Sequence, residues 1–153
     1  NPSKMKGIEL IVSRVEDARK LTLEEVNFTN ESIECLPDNN YDLVCANTVF
    51  SSILNERERK TLIKSMERKL KPGGWILIYD FRYDNPGNSD VKKVTKDELG
   101  KMLETNNEIY YRSGLLLPPL SRFLLSYSVA LVFLMASIFP FLRSHFVMMA
   151  KKQ

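Results

Sequence analysis

Short apolar runs bounded by turn residues alternate along most of this chain with stretches whose apolar residues recur every three or four positions. The first pattern is that of strands, the second that of helices burying one face. Gly7-Ile8-Glu9-Leu10 predicts a short strand, and Ser13 with Glu16 predicts a capping box ahead of Val15, Ala18 and Leu21. Val26-Asn27-Phe28 predicts a second strand. Residues 41–47 (YDLVCAN), nearly all apolar, predict a third strand covered on both faces. Asn55 and Glu58 form another cap and box, and Leu62, Ile63, Met66 and Leu70 follow at helical spacing until Pro72-Gly73-Gly74 stops the helix. Residues 75–81 (WILIYDF) are the strongest strand pattern, and residues 82–90, with Pro86 and Gly87, read as a loop. Thr95 with Glu98 caps a short helix carrying Leu99, Met102 and Leu103, and residues 108–117 and 146–150 predict two late strands. The order is β-α-β-β-α-β-α-β, an apolar insert, then β. That order predicts an open, mostly parallel α/β sheet with ligands at the carboxyl ends of its strands.

The insert changes the picture. Residues 123–142 (FLLSYSVALVFLMASIFPFL) carry no charge and are flanked by Arg122 and Arg143. As a single helix they would reach about 30 Å, the thickness of a bilayer core. Ser126, Ser128, Ser137 and Pro140 dilute the run, and a crossing would part residues 146–150 from their sheet. The expectation is one or two helices within residues 118–144, forming a buried lid over the substrate cleft or dipping into the membrane interface. In the second case Arg122, Arg143, Lys151 and Lys152 would meet anionic lipid.

At 153 residues, 44% hydrophobic and 27% charged, the composition is that of one globular domain. A net charge of +3 is too small and dispersed to point to nucleic acid. Its distribution is uneven: residues 1–113 hold 18 Lys and Arg against 19 Asp and Glu, whereas residues 114–153 hold four cations and no carboxylate. Cys35 and Cys45 form no C-x-x-C pair, and with one histidine in the chain a zinc site lacks ligands. These features fit a reducing, cytoplasmic setting, at the inner face of the membrane if the insert touches lipid. The opening Asn1-Pro2-Ser3-Lys4 has no initiator Met and no leader pattern, and reads as a piece whose beginning is missing.

Position alone nominates some chemistry. Glu9, just past a strand, is placed to accept both hydroxyls of a ribose, although a strand-end glutamate is also an ordinary solvated residue. Asp80 ends the strongest strand at the carboxyl face, and Tyr83, Asp84 and His145 are further candidates for a base. Arg82 offers a fork of donors to an anionic or sugar substrate. The bland alternatives are a solvated loop at residues 82–84 and a structural histidine.

Leu70-Lys71-Pro72-Gly73-Gly74 followed by an apolar strand resembles the turn before the fifth strand of class I S-adenosylmethionine-dependent methyltransferases. Gly7-Ile8-Glu9-Leu10 with Val15-Glu16-Asp17-Ala18-Arg19 resembles that family's second strand, its ribose-binding acid and the helix behind it. Residues 31–44 (ESIECLPDNNYDLV) resemble the stretch that carries the adenine contact and the fourth strand. The Tyr79-Asp80-Phe81-Arg82-Tyr83 loop with Asn85-Pro86, Pro118-Pro119 and Phe141-Leu142-Arg143-Ser144-His145 looks like a bacterial, methyltransferase-11-like subgroup found among surface-glycan genes.

The resemblance implies a Rossmann-like sheet in the order 3-2-1-4-5-7-6 and S-adenosylmethionine as cofactor. It implies that Glu9 binds the ribose, Leu10 and Ile33 pack on the adenine, and Ser32 stands where the family has Asp or Asn. Glu31 beside it offers a carboxylate after a small rotation, while Ala46 and Asn47 line the methionine part. Asp80, Tyr83 and His145 are the implied catalytic candidates, and Phe50 and Arg82 the substrate contacts. The glycine-rich loop and first strand of the family are expected before residue 1, so this chain alone is expected to be poorly stable and to bind cofactor weakly. The expected activity is methyl transfer to a small, lipophilic or glycan-linked acceptor. One rival is a membrane-peripheral or interaction module that has lost cofactor binding. Another, a nicotinamide-dependent oxidoreductase, is disfavoured because no Tyr-x-x-x-Lys pair is present.

Overall fold

The computed structural model describes residues 1–103 and 108–153, which divide into two units, Asn1–Pro37 and Asp38–Gln153. In the first unit, β1 (Lys6–Ile8) and β2 (Asn27–Thr29) pair in parallel around α1 (Val12–Leu21), with Gly7 opposite Phe28. Gly7 is required there: a Cβ at that position would lie 2.3 Å from the Phe28 ring. The Arg19 guanidinium donates from Nε to the Phe28 carbonyl at 3.0 Å and ties helix to strand. The capping role expected of Ser13 is not what forms. The helix starts after Ile11 without a hydroxyl cap. The Glu9 carboxylate instead accepts from the amides of Leu10 and Ile11 at 2.8 and 3.1 Å, satisfying main-chain donors at the start of the helix.

The second unit runs β3 (Tyr41–Asn47), α2 (Glu56–Lys69), β4 (Leu70–Phe81), α3 (Lys96–Met102), β5 (Glu108–Leu116), α4 (Pro118–Leu125), α5 (Val129–Ile138) and β6 (Arg143–Lys151). Its sheet has the order β3-β4-β6-β5, with β3 parallel to β4 and β6 antiparallel to both neighbours. The two sheets reproduce the 3-2 and 4-5-7-6 portions of the expected strand order, and the sequence of elements is the one the periodicity predicts.

The caps Asn55 and Thr95 form as expected, accepting from the amides of Arg57 and Glu98. Some details differ. The second helix already ends at Lys69, and the Pro-Gly-Gly segment belongs to β4. There Gly73 takes φ +77°, and the Gly73 amide and Gly74 carbonyl exchange hydrogen bonds with Lys152 at 2.9 Å. The last strand starts at Arg143, so His145 lies inside it. Finally, β3 is not covered on both faces: only Ala46 is buried, and Leu43 is 49% exposed. Among the described residues it pairs with β4 alone, as an edge strand.

Burial along β4 alternates. Ile76, Ile78 and Asp80, together with Phe146, Met148 and Ala150 of β6, are at most 1% exposed, while Trp75, Leu77, Tyr79 and Phe81 on the other face are half-buried. Helix α2 contributes Arg59, Ile63 and Met66 to the same core, each at most 1% exposed. Arg59 donates to the carbonyls of Ile53, Lys92 and Lys93 and pairs with Glu98 at 2.7 Å, so its charge is fully engaged.

The uncharged run becomes two short helices rather than one, and among the described residues no helix is long and apolar enough to cross a membrane. Neither α4 nor α5 buries a single residue.

Candidate functional site

In the first unit the carboxyl end of β1 presents Glu9, half-buried, with Oε1 taken by the two amides and Oε2 3.9 Å from Arg14. The Glu9 amide donates to the Thr29 carbonyl, and the Asn30 side chain donates to the Glu9 carbonyl at 2.8 Å. This fixes the strand end while leaving acceptor capacity on the carboxylate. Leu10 is 72% exposed beside it. The adenine-side candidates are already engaged. The Ser32 hydroxyl accepts from the Glu34 amide at 3.3 Å, and the half-buried Ile33 begins the turn it caps. Glu31 does not stand free for a small rotation: it receives the Thr29 hydroxyl and pairs with Lys6 at 2.5 Å. The Lys6 ammonium, and then the Thr29 hydroxyl, hold its carboxyl below the usual glutamate range.

In the second unit the carboxyl end of β3 places Ala46 inside and Asn47 in the open. Thr48 follows with φ +53°, a left-handed conformation that a β-branched residue rarely adopts, pinned by its amide to the Tyr79 carbonyl at 2.8 Å. Backbone strain is common at functional turns, and in open α/β sheets ligands bind at the carboxyl ends of the strands, where this turn lies. Nothing in the sequence flags it, because neither Asn47 nor Thr48 belongs to a turn-specific pair.

Burial reassigns several candidates. Phe50, expected at the substrate, is fully buried. Asp80, expected as a base, is also fully buried; its Oδ2 accepts from the Ser51 amide at 3.1 Å and Oδ1 from the Phe81 amide at 2.8 Å. It anchors the turn at Phe50–Ser52 from inside the sheet. Arg82 donates from Nη1 to the Arg143 and Pro140 carbonyls at 3.0 and 3.3 Å, and Tyr83 donates to the Phe141 carbonyl at 2.7 Å. Both therefore hold the segment between α5 and β6. Asp84, bonded to the Lys93 amide, has its carboxyl below the usual aspartate range for that reason first.

His145 remains. Its ring stacks on Tyr79 at 5.1 Å and meets Phe81 at 4.5 Å. Nδ1 lies 2.7 Å from the Ser144 hydroxyl, which in turn lies 3.3 Å from the Leu115 carbonyl. When the hydroxyl donates to that carbonyl it accepts from Nδ1–H, the arrangement that leaves a lone pair on Nε2. Burial pushes the imidazole below its usual range and outweighs the opposing pull of Asp80, which favours the neutral ring. Tyr79, which the sequence reading passed over, bridges the pieces: it pairs with Asn47 in register, receives the Thr48 amide and covers His145. Burial, then Asp80, raises its phenol above the usual range, keeping it protonated. Two surface hollows, of about 460 and 300 Å³, are lined by residues such as Phe28 and Arg59 and include none of the candidates.

Comparison with known proteins adds a family. The family described as a methyltransferase domain matches residues 2–127. A ubiquinone/menaquinone biosynthesis C-methyltransferase from Shewanella sediminis is 34% identical over 71 residues, which is 45% of this chain and 26% of that enzyme. The fold is similar to that of a solved SAM-dependent methyltransferase from Methanosarcina mazei, with a TM-score of 0.65 and 18% identity over 96% of this chain and 81% of that one. It is equally similar, again at a TM-score of 0.65 and 18% identity, to the [4+2]-cyclase SpnF, covering 96% of this chain and 65% of that one.

Proposed function

Because this chain belongs to the methyltransferase-domain family, whose cofactor is S-adenosylmethionine, we propose that it supplies part of an enzyme moving a methyl group from that cofactor to a small acceptor. The observation that carries this reading is the half-buried Glu9 carboxylate just past the carboxyl end of β1, engaged by two amides through one oxygen and left with acceptor capacity on the other.

These residues fit the cofactor unequally. Glu9 keeps acceptor capacity for a ribose diol and Leu10 offers an apolar face to a purine. Ser32 and Glu31 are occupied, so the purine edge would be read weakly. That same occupation favours the second reading, an interaction module that has lost cofactor binding.

When bound, the sulfonium supplies an electrophilic methyl group whose leaving group departs neutral. The chain's own task is then to hold the acceptor in line and dry and, for an acidic acceptor such as a hydroxyl or an activated carbon, to take its proton. His145 Nε2 is our choice for that proton. Asp80, Arg82 and Tyr83 act as positioning residues, fixing the turn at Phe50–Ser52 and the start of β6.

The C-methyltransferase relative serves, by its name, ubiquinone/menaquinone biosynthesis, which favours a lipophilic acceptor here over the glycan-linked one. We also infer that the open edge of β3 is paired in the working enzyme by a strand outside the described residues. An almost wholly apolar strand with Leu43 49% exposed is otherwise a liability.

The test is calorimetric titration of S-adenosylhomocysteine into the protein carrying this chain, alongside Glu9→Ala. Loss of affinity by at least about tenfold, roughly 1.4 kcal/mol, supports the reading. Binding that ignores Glu9→Ala removes Glu9 from the cofactor site, and no binding by a folded protein turns the reading toward the interaction module.

A further inference from the structure

We propose that the α4–α5 hairpin is a membrane-surface anchor that seats in the interface of an anionic phospholipid bilayer. This inference is independent of methyl transfer. Helix α5 (VALVFLMASI) is apolar around its whole circumference, a pattern that belongs in a core or in lipid, yet none of its residues is buried. Phe133 is 69% exposed, Val129 58% and Ile138 56%; on the neighbouring helix Phe123 is 60% exposed, and Phe141 just beyond α5 is 64% exposed. At eight and ten residues, the helices reach only ~12 and ~15 Å, so they can lie in an interface but cannot span it.

Three observations select lipid as the occupant. First, the serine side chains of the hairpin are engaged internally. The hydroxyls of Ser121, Ser126 and Ser137 donate to the carbonyls of Pro118, Phe123 and Phe133 at 3.0, 2.6 and 2.8 Å, and Ser128 accepts from the Ala130 amide. Groups arranged in this way lose little on leaving water. Second, the loose ends are tied by the sheet. Arg143 donates from Nε to the Ala136 carbonyl at 2.8 Å, and Arg82 and Tyr83 bind the carbonyls of Pro140 and Phe141. The hairpin is thus a held paddle whose apolar faces stay outward. Third, residues 109–153 contain five cations and no carboxylate. Arg122, exposed on α4, makes no ion pair or hydrogen bond among the described residues and is free for a phosphate. A second copy docking by a two-fold contact through this face would bring Arg122 against a surface without a counter-charge. Lys152 is not part of the lipid contact, since its ammonium is spent on the carbonyls of Glu67 and Leu70, and Lys151 lies over the Trp75 ring.

The test is flotation of the full chain with phosphatidylcholine vesicles, with and without one-third phosphatidylglycerol, at low and high salt. Binding should favour the anionic vesicles, weaken with salt, and fall at least about tenfold in Phe133→Asp, with circular dichroism unchanged because that side chain supports no core. Arg122→Gln should erase most of the preference for anionic lipid. Phe133→Trp, which keeps the apolar character, should show a blue-shifted emission quenched by brominated acyl chains. Flotation indifferent to Phe133→Asp, or a tryptophan that stays water-exposed on vesicles, overturns the proposal. So does a dimer in sedimentation that Phe133→Asp dissolves while vesicles are ignored, since a second copy would then be the occupant.

Discussion

The two faces of the four-stranded sheet are built from equally apolar strands and meet different fates. One face, Ile76, Ile78, Phe146, Met148 and Ala150, is sealed beneath the helices and tolerates a buried carboxylate, Asp80, only because two amides meet it. The other carries Trp75, Leu77, Tyr79 and Phe81 half-covered, with Val147 37% exposed. The sealed face sets stability. The half-covered face holds His145, a titratable group stacked on Tyr79 and packed on Phe81. The two faces differ in covering rather than in composition.

The largest effect should come from the sealed side. Arg59→Met leaves Glu98 and three carbonyls without their partner, and should lower the unfolding free energy in urea by about 3–5 kcal/mol. Phe146→Ala should cost about 3–5 kcal/mol through its cavity, while Val147→Ala, one residue along the same strand, should cost less than about 1 kcal/mol. Equal costs for the two would mean that the half-covered face is sealed in solution after all.

A subtler effect concerns His145. Its folded pKa lies below the ordinary value near ~6.5, so the unfolded chain takes up the proton first. Its contribution to stability is therefore complete above that value and is lost as pH falls from there through the lower folded value. Urea midpoints measured across this window should slope downward toward acid, and His145→Gln should flatten the slope. A slope unchanged by that substitution would assign it to carboxylates. The smallest effect is expected at Thr48→Gly, which relieves a left-handed β-branched residue and should raise stability by about 1 kcal/mol or less, read from the same titrations.

Much of the fold was legible because its signals are local. The caps at Asn55 and Thr95, the helical spacing from Leu62 to Leu70 and the apolar run at residues 75–81 each depend on neighbours within one or two turns. The site was less legible. Glu9 was found at a strand end by position, but its engagement with the amides of Leu10 and Ile11, just ahead of α1, was not, nor was the absence of the cap expected of Ser13. Tyr79 was missed because a tyrosine inside an apolar strand looks like core. The resemblance placed Asp80, Arg82 and Phe50 near the chemistry; that Asp80 and Phe50 are buried, and that Asp80 and Arg82 meet main-chain partners, was not legible.

By itself, then, the sequence determined the order and kind of the elements, the uncharged insert and the asymmetry of charge, since periodicity, capping and composition are properties of contiguous residues. Only the tertiary structure decided which strand face is sealed, which carboxylate is spent on amides, and that the insert breaks into two exposed helices. Those outcomes depend on partners tens of residues away, such as Asp80 for Ser51 or Pro140 for Arg82, which no local pattern encodes.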